Sequence, residues 1–159
     1  MGIEIERKFL VSDRSVVVGL AGTEMRQGYL SVDPERTTRV RIAGRRAFVT
    51  IKGVPSDSGA SRAEYEYEIP VGDAAEMLDR LALRPLVEKT RYRLPVGRLT
   101  WEIDVFEGDN EGLVVAEIEL PTEAMGVVLP DWIGDEVTGD PRYYNASLVG
   151  HPYREWDKA

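Results

Sequence analysis

The chain has no cysteine and a single histidine, His151. Thiol catalysis, disulfide frameworks and cysteine-ligated zinc or iron–sulfur sites are thereby excluded, and no multi-histidine metal centre can form. Bases are scarce: 20 Lys and Arg stand against 28 Asp and Glu, a net charge of −8, which argues against nucleic acid or an anionic membrane as partner. No apolar run approaches the ~20 residues of a membrane helix. The opening Met1-Gly2-Ile3-Glu4-Ile5-Glu6 has no signal-peptide core, and Glu6 stands where a myristoylation motif needs Ser or Thr. No Gly-x-Gly occurs, so the dinucleotide fingerprint fails. His151 lies between Gly150 and Pro152 with no serine or acid partner at a recognisable spacing, and reads as a surface residue. The expectation is a cytoplasmic protein whose 159 residues form one domain, 1–159, without linker, repeat or low-complexity tract.

What the chain does have is alternation. Ile3–Val11, Met25–Val32, Thr37–Ala43, Ala47–Gly53, Arg62–Ile69, Val87–Leu94, Leu99–Phe106 and Leu113–Leu120 each pattern as a strand, bounded by turn residues. Hairpin-like links such as Ala43-Gly44-Arg45-Arg46 and Pro95-Val96-Gly97-Arg98 force antiparallel neighbours, because a parallel pair needs a long crossover. Three stretches carry helical signals: Ser12 or Asp13 capping a short helix through Val18; Asp73 and Glu76 opening a helix whose face is Ala74, Leu78, Leu81 and Ala82; and Asp140-Pro141 starting a last helix closed by Gly150. The predicted fold is mainly β within α+β: an eight-stranded antiparallel closed barrel with a few short helices outside and at one end.

Residues two apart on a strand share a face. Glu4, Glu6 and Lys8 share one; so do Arg39 and Arg41; Thr50 and Lys52; Glu64, Glu66 and Glu68; Lys89, Arg91 and Arg93; Glu102 and Asp104; Glu117 and Glu119. For one strand alone, this alternation is what any half-exposed antiparallel sheet shows. Taken together the strands differ from that picture. Nine acids and seven bases gather on one face, with few neutral polar residues among them and with like charges segregated by strand. Such concentration is self-repulsive unless ligands of opposite sign bind. The opposite face, with Trp101 and Ile103, needs cover from helices. The charged face is therefore predicted to line the barrel, where basic groups would take an anion's oxygens and carboxylates a hard cation such as Mg²⁺ or Mn²⁺.

These residues resemble the CYTH superfamily, the triphosphate tunnel metalloenzymes. Glu4-Ile5-Glu6-Arg7-Lys8 is similar to the family's ExExK signature. The likeness continues through Arg39-Val40-Arg41, Thr50-Ile51-Lys52, Glu64-Tyr65-Glu66, Glu88-Lys89-Thr90-Arg91, Trp101-Glu102-Ile103-Asp104, Ala116-Glu117-Ile118-Glu119 and the closing Glu136–Asn145 stretch, in order along nearly the whole chain. The resemblance implies a tunnel that binds a small-molecule triphosphate and hydrolyses it with Mg²⁺ or Mn²⁺, most similar to short bacterial inorganic triphosphatases. It implies Lys8, Arg39, Arg41, Lys52, Lys89 and Arg91 on the phosphates, and Glu4, Glu6, Glu117 and Glu119 on metal. Catalysis is placed on Glu4, Glu6, Lys8 and Lys52, with water activated by the metal as attacker. Glu64, Glu66, Glu102 and Asp104 are left to hold a second metal, orient water or pair with the bases. The family often carries a lysine near position 145; here Ala146 and Ser147 follow Asn145, and Arg142 is taken as the substitute cation. Tyr143 and Tyr144 are read as side chains that pack rather than contact substrate. Adenylyl cyclase of the class IV type, thiamine or nucleoside triphosphatase, and a non-enzymatic polyphosphate-binding module are the alternatives. Oligomeric state stays open.

Overall fold

The computed structural model describes residues 2–157. Nine strands are present: β1 (Ile3–Val11), β2 (Gly22–Ser31), β3 (Thr37–Ala43), β4 (Arg46–Lys52), β5 (Ser61–Ile69), β6 (Val87–Val96), β7 (Leu99–Phe106), β8 (Val114–Glu119) and β9 (Ile133–Glu136). Helices α1 (Val71–Arg80) and α2 (Ser147–Gly150) accompany short 3-10 turns. The eight expected strands occur, three with the expected bounds and the rest with ends shifted by at most three residues, and all pairings are antiparallel.

The sheet order is β5-β4-β3-β2-β6-β7-β8-β1-β9, and it closes because β5 also pairs with β1. One strand makes the closure. The first part of β1, Ile3–Ile5, faces Ala63–Ser61 of β5, while Glu6–Leu10 faces Glu119–Val115 of β8. Where β5 leaves the edge of β1, β9 takes it up through Phe9 and Val11. This ninth strand was not expected. It is four residues long and contains Gly134 and Asp135, too short for alternation to show. Hairpins β3–β4 and β6–β7 turn at Gly44 and Gly97, whose φ values of 60° and 64° suit glycine in two-residue loops.

The outer face is apolar and covered in part, while Ile51 of β4 and Tyr65 and Tyr67 of β5 stay exposed. Phe9, Trp101, Ile103, Ala116 and Ile118 form a core under Val16 and Val17 of the Arg14–Val17 turn and under Trp132, with Trp101 edge-on to both Phe9 and Trp132. Asp13 caps that turn, accepting from the Ser15 amide at 3.0 Å. Helix α1 lays Ala74 and Leu78 on Val40 of β3 and Ala47 of β4. It starts at Val71 after Pro70, so Asp73 lies inside the first turn and makes no cap bond. A carboxylate there still favours the helix dipole. The helix ends at Arg80, which leaves Leu81 exposed rather than on the buried face.

The last helix is also corrected. Asp140 does cap a turn, accepting from the Arg142 amide at 3.1 Å, but that turn stops at Tyr143 and α2 begins at Ser147. The break lets Leu148 enter the end of the barrel, where it packs on Val87, Phe106 and Val115. Along β6, β7 and β8 these three continue the inward rows of Lys89, Asp104 and Glu117. The lining thus changes from charged to apolar at that end, and α2 stops it.

Candidate active site

The charged rows do face inward. A cavity of about 810 Å³ is lined by Glu4, Glu6, Lys8, Arg39, Arg41, Lys52, Glu64, Glu66, Lys89, Arg91, Glu102, Glu117 and Glu119. Asp104 is fully buried behind this wall. Trp101 and Ile103 stand on the outer side, as the alternation requires.

Three sequence readings change. Arg142 lies outside the cavity: its side chain is 62% exposed and bonded to Asp140 at 2.8 Å, stacked over Tyr143 and Trp156. The structure does not bring it together with the cavity cations. Tyr143 packs as expected, but Tyr144 lines the cavity, its ring under Lys8 Nζ and the Arg62 guanidinium. Glu68 pairs with Arg46 at an exposed rim, while Arg62 joins the lining. The expected excess of acid therefore disappears, since seven carboxylates and eight cations line the wall and Asp104 stands behind it. Sequence reasoning missed Arg62, although it shares the parity of Glu64. It also passed over Gln27 and Tyr29, both buried, because β2 carries no charge on its inward face. His151 is exposed and tilted against Trp156.

Most charges are paired across neighbouring strands. Lys52 donates to Glu4 at 2.8 and 3.0 Å and lies 3.6 Å from Glu64. Lys8 lies 3.4 Å from Glu117 and donates to the Tyr143 carbonyl at 3.0 Å. Arg39 reaches Thr50 at 3.1 Å and Glu66 at 3.5 Å. Asp104, as deeply buried as its partner Lys89, accepts from Arg91 at 2.8 and 2.9 Å and from Lys89 at 2.7 Å. Arg91 and Arg93 both hold Glu102.

A minority is left over. Arg41 makes no ion pair among the described residues; its Nε donates to Gln27 at 2.8 Å. Burial, with Arg39 and Arg91 close by, lowers its pKa to about 9. Burial also brings Lys89 down to about 7; Asp104 opposes this and Arg91 and Arg41 add to it. On the acidic side Glu6 stands opposite Glu119, and Glu102 opposite Glu117. Burial and then the Glu117 and Glu4 carboxylates hold Glu6 well above the usual carboxylate range. Burial, with Glu4 and Glu102, raises Glu119. Glu64 is pushed up to about 7 by burial and by Glu4. In contrast Glu4, held by Lys52 against its burial, is lowered, and Glu117, held by Lys8 in the same way, falls to about 2. Groups shifted in opposite senses within one cavity are the electrostatic mark of a functional site. Arg39 Nε, buried and without a hydrogen-bond partner, is a further donor not satisfied by the protein.

A divalent cation fits this donor set by chemistry. Glu6 and Glu119 are hard oxygen donors, directly opposed and without an ion pair among the described residues, and like charges in that relation repel unless a cation lies between them. Glu4 and Glu117 flank them but are occupied by lysines, and among the described residues no three acids converge on one point. No helix of the described residues is long and apolar enough to cross a membrane.

Comparison with known proteins agrees with this architecture. Residues 2–149 match the CYTH domain. An inorganic triphosphatase of Acetivibrio thermocellus is 50% identical over 156 residues, which cover 98% of this chain and 99% of the relative. One of Nitrosomonas europaea is 42% identical over 152 residues, 92% of this chain and 96% of the relative. The crystal structure of the inorganic triphosphatase NE1496 superposes with a TM-score of 0.62 at 37% identity, covering 92% of this chain and 93% of that one. With its barrel, inward charges and near-complete alignment, the chain belongs to the CYTH domain family.

Proposed function

We propose that this protein hydrolyses inorganic triphosphate to pyrophosphate and phosphate with a divalent metal, Mg²⁺ or Mn²⁺. The carrying observation is the separation of leftover charge on the walls of one cavity. Arg41 lacks a carboxylate, and Glu6 and Glu119 lack a cation. An anion that brings its own divalent cation satisfies both. The two relatives are named for this activity, and triphosphatases of the family depend on metal in general.

Arg39, Arg41, Lys89 and Arg91 bind phosphate oxygens from one side, and Lys8 and Lys52 from another. Glu6 and Glu119, with Glu4 and Glu117 beside them, would hold the metal. When bound, the metal neutralises charge on the phosphoryl oxygens and lowers the pKa of water at its coordination sphere. Phosphoryl transfer needs positioning and charge neutralisation more than covalent chemistry, and the lining has neither a cysteine nor a histidine to act as nucleophile in their place. Lys8 and Lys52, each already held by a carboxylate, exchange that partner for a phosphate oxygen without moving from the wall. Glu64, Glu66 and Glu102, paired with Lys52, Arg39 and Arg91, release their cations to phosphate in the same way, and Asp104 serves as the fixed counter-ion of Lys89 and Arg91. The setting we propose is the cytoplasm.

The test is to incubate the protein with tripolyphosphate, ATP or thiamine triphosphate and Mg²⁺ or Mn²⁺, following phosphate and cyclic AMP. Phosphate released fastest from tripolyphosphate is the expected result. Cyclic AMP as chief product, a higher kcat/KM for either other triphosphate, or binding without turnover replaces the reading.

A further inference from the structure

The chain carries only three side-chain amides: Gln27, Asn110 and Asn145. Asn110 is buried away from the cavity, accepting from the Tyr153 amide at 2.9 Å. The other two stand among the cavity cations, and chemistry dictates the direction of their hydrogen bonds. Arg41 Nε can only donate, so the Gln27 atom 2.8 Å away is Oε1, and Gln27 Nε2 donates onward to Asn145 at 3.0 Å. Lys89 Nζ meets the same Asn145 atom at 3.0 Å. That atom is therefore oxygen. Gln27, 0% exposed, lies behind the wall, and Lys89, 1% exposed, sits at the foot of the lining. The planar amide turns Nδ2 away from them, and Asn145 itself lines the cavity. Every hydrogen bond the side chain makes among the described residues ends on Oδ1, and two N–H donors remain on the cavity side.

We propose that Asn145 is a substrate-binding residue, its Nδ2 donating to a phosphate oxygen of the triphosphate; the inference rests on the proposed function and names a ligand group for the same site. A neutral donor suits this position. Arg91 already works against the charge of Arg41, and Arg91 and Arg41 against that of Lys89, so another cation would add repulsion, whereas an amide adds grip without it. The donor is also held in place: Gln27 and Lys89 fix its plane, and Leu148, three residues on, anchors the segment in the barrel end.

The discriminating variant is Asn145→Asp. It keeps an oxygen for Lys89 and Gln27 but replaces Nδ2 by an anionic acceptor. If Asn145 only bridged the wall, Asn145→Asp would serve as well or better. If Nδ2 binds substrate, KM for tripolyphosphate rises about tenfold or more, while Tm holds or increases. Asn145→Ala, which loses both roles, should raise KM less than Asn145→Asp yet lower Tm. An unchanged KM in Asn145→Asp overturns the inference and leaves the proposed function standing. A measurement on the wild type needs no variant to fold. Tripolyphosphate is added in chelator to protein ¹⁵N-labelled at asparagine, up to concentrations that raise Tm. The Asn145 NH₂ pair shifts and the Asn110 pair stays; an Asn145 pair that does not move overturns the inference. A wild type with neither hydrolysis nor a rise in Tm removes the proposed function, and this inference with it.

Discussion

Glu6 on β1 and Glu119 on β8 are cross-strand partners on the inward face, and neither forms an ion pair among the described residues. Two like charges so placed cost stability in the absence of a cation. Glu6→Gln should therefore fold, with Tm in chelator raised by about 2–4 °C, and should lose most tripolyphosphate hydrolysis. The increase in Tm produced by Mg²⁺ should also shrink. A Glu6→Gln variant that unfolds, or that turns over normally, makes Glu6 a structural residue and removes it from the metal set.

Arg41, like Arg62, is a cavity cation that forms no ion pair among the described residues. Arg41→Ala should raise KM for tripolyphosphate roughly 10–100-fold, the worth of a charge-assisted hydrogen bond, and lower Tm only by a few degrees, because the Gln27 amide oxygen and not a buried carboxylate loses its partner. Steady-state kinetics beside a thermal melt separates the two effects. A large fall in Tm with normal KM would show that Arg41 serves the fold instead.

Asp104 behaves in the opposite way. It is the shared counter-ion of Lys89 and Arg91, both buried, and Asp104→Asn leaves two cations under-compensated. The expected loss is about 3–5 kcal/mol, read from denaturant unfolding. Arg142→Ala, at the exposed pair outside the barrel, should leave KM as it is. Equal effects from the two variants would contradict the placement of Arg142.

Lys89 links binding to pH. Its pKa in the empty protein is lowered to about 7 by burial and by Arg91 and Arg41, with Asp104 opposing. An anion in the cavity favours the charged form, so its pKa rises on binding. At pH 8 the protein should take up protons as tripolyphosphate binds, and affinity should fall as pH climbs through about 7. Calorimetry in two buffers of different ionisation enthalpy measures the uptake, and Lys89→Met should reduce it. The stability sign is separate. Between about 7 and the ordinary lysine value of 10.5, the unfolded chain holds the extra proton, so this group's contribution to stability increases with pH. Proton release on binding would refute the assignment.

How much of this was legible in the sequence follows from the period of the strand. Glu4, Glu6 and Lys8, or Lys89 and Arg91, reveal their common face by parity alone, and seven strands so marked set the inward direction of the whole barrel. What parity does not reveal is partnership. Asp104 and Glu102 look alike on β7, yet Asp104 is buried under two cations and Glu102 faces the cavity; depth within the barrel decides between them. Gln27 and Asn145 were silent because they are uncharged and 118 residues apart, joined only by the fold. Strand β9 and the broken last helix were missed for a related reason: both are set by what they dock against, β1 and the apolar barrel end, rather than by local pattern.

The apolar seal formed by Leu148 on Val87, Phe106 and Val115 makes the barrel a vessel with a floor. Under the proposed function, substrate cannot pass through and must leave as products along the path by which it arrived. The fragment nearer the opening departs first, and the deeper one waits behind it. A long polyphosphate could offer such a vessel only its terminus, so the floor acts as a ruler on chain ends. It also makes the last fragment to leave the natural competitor of the next molecule in.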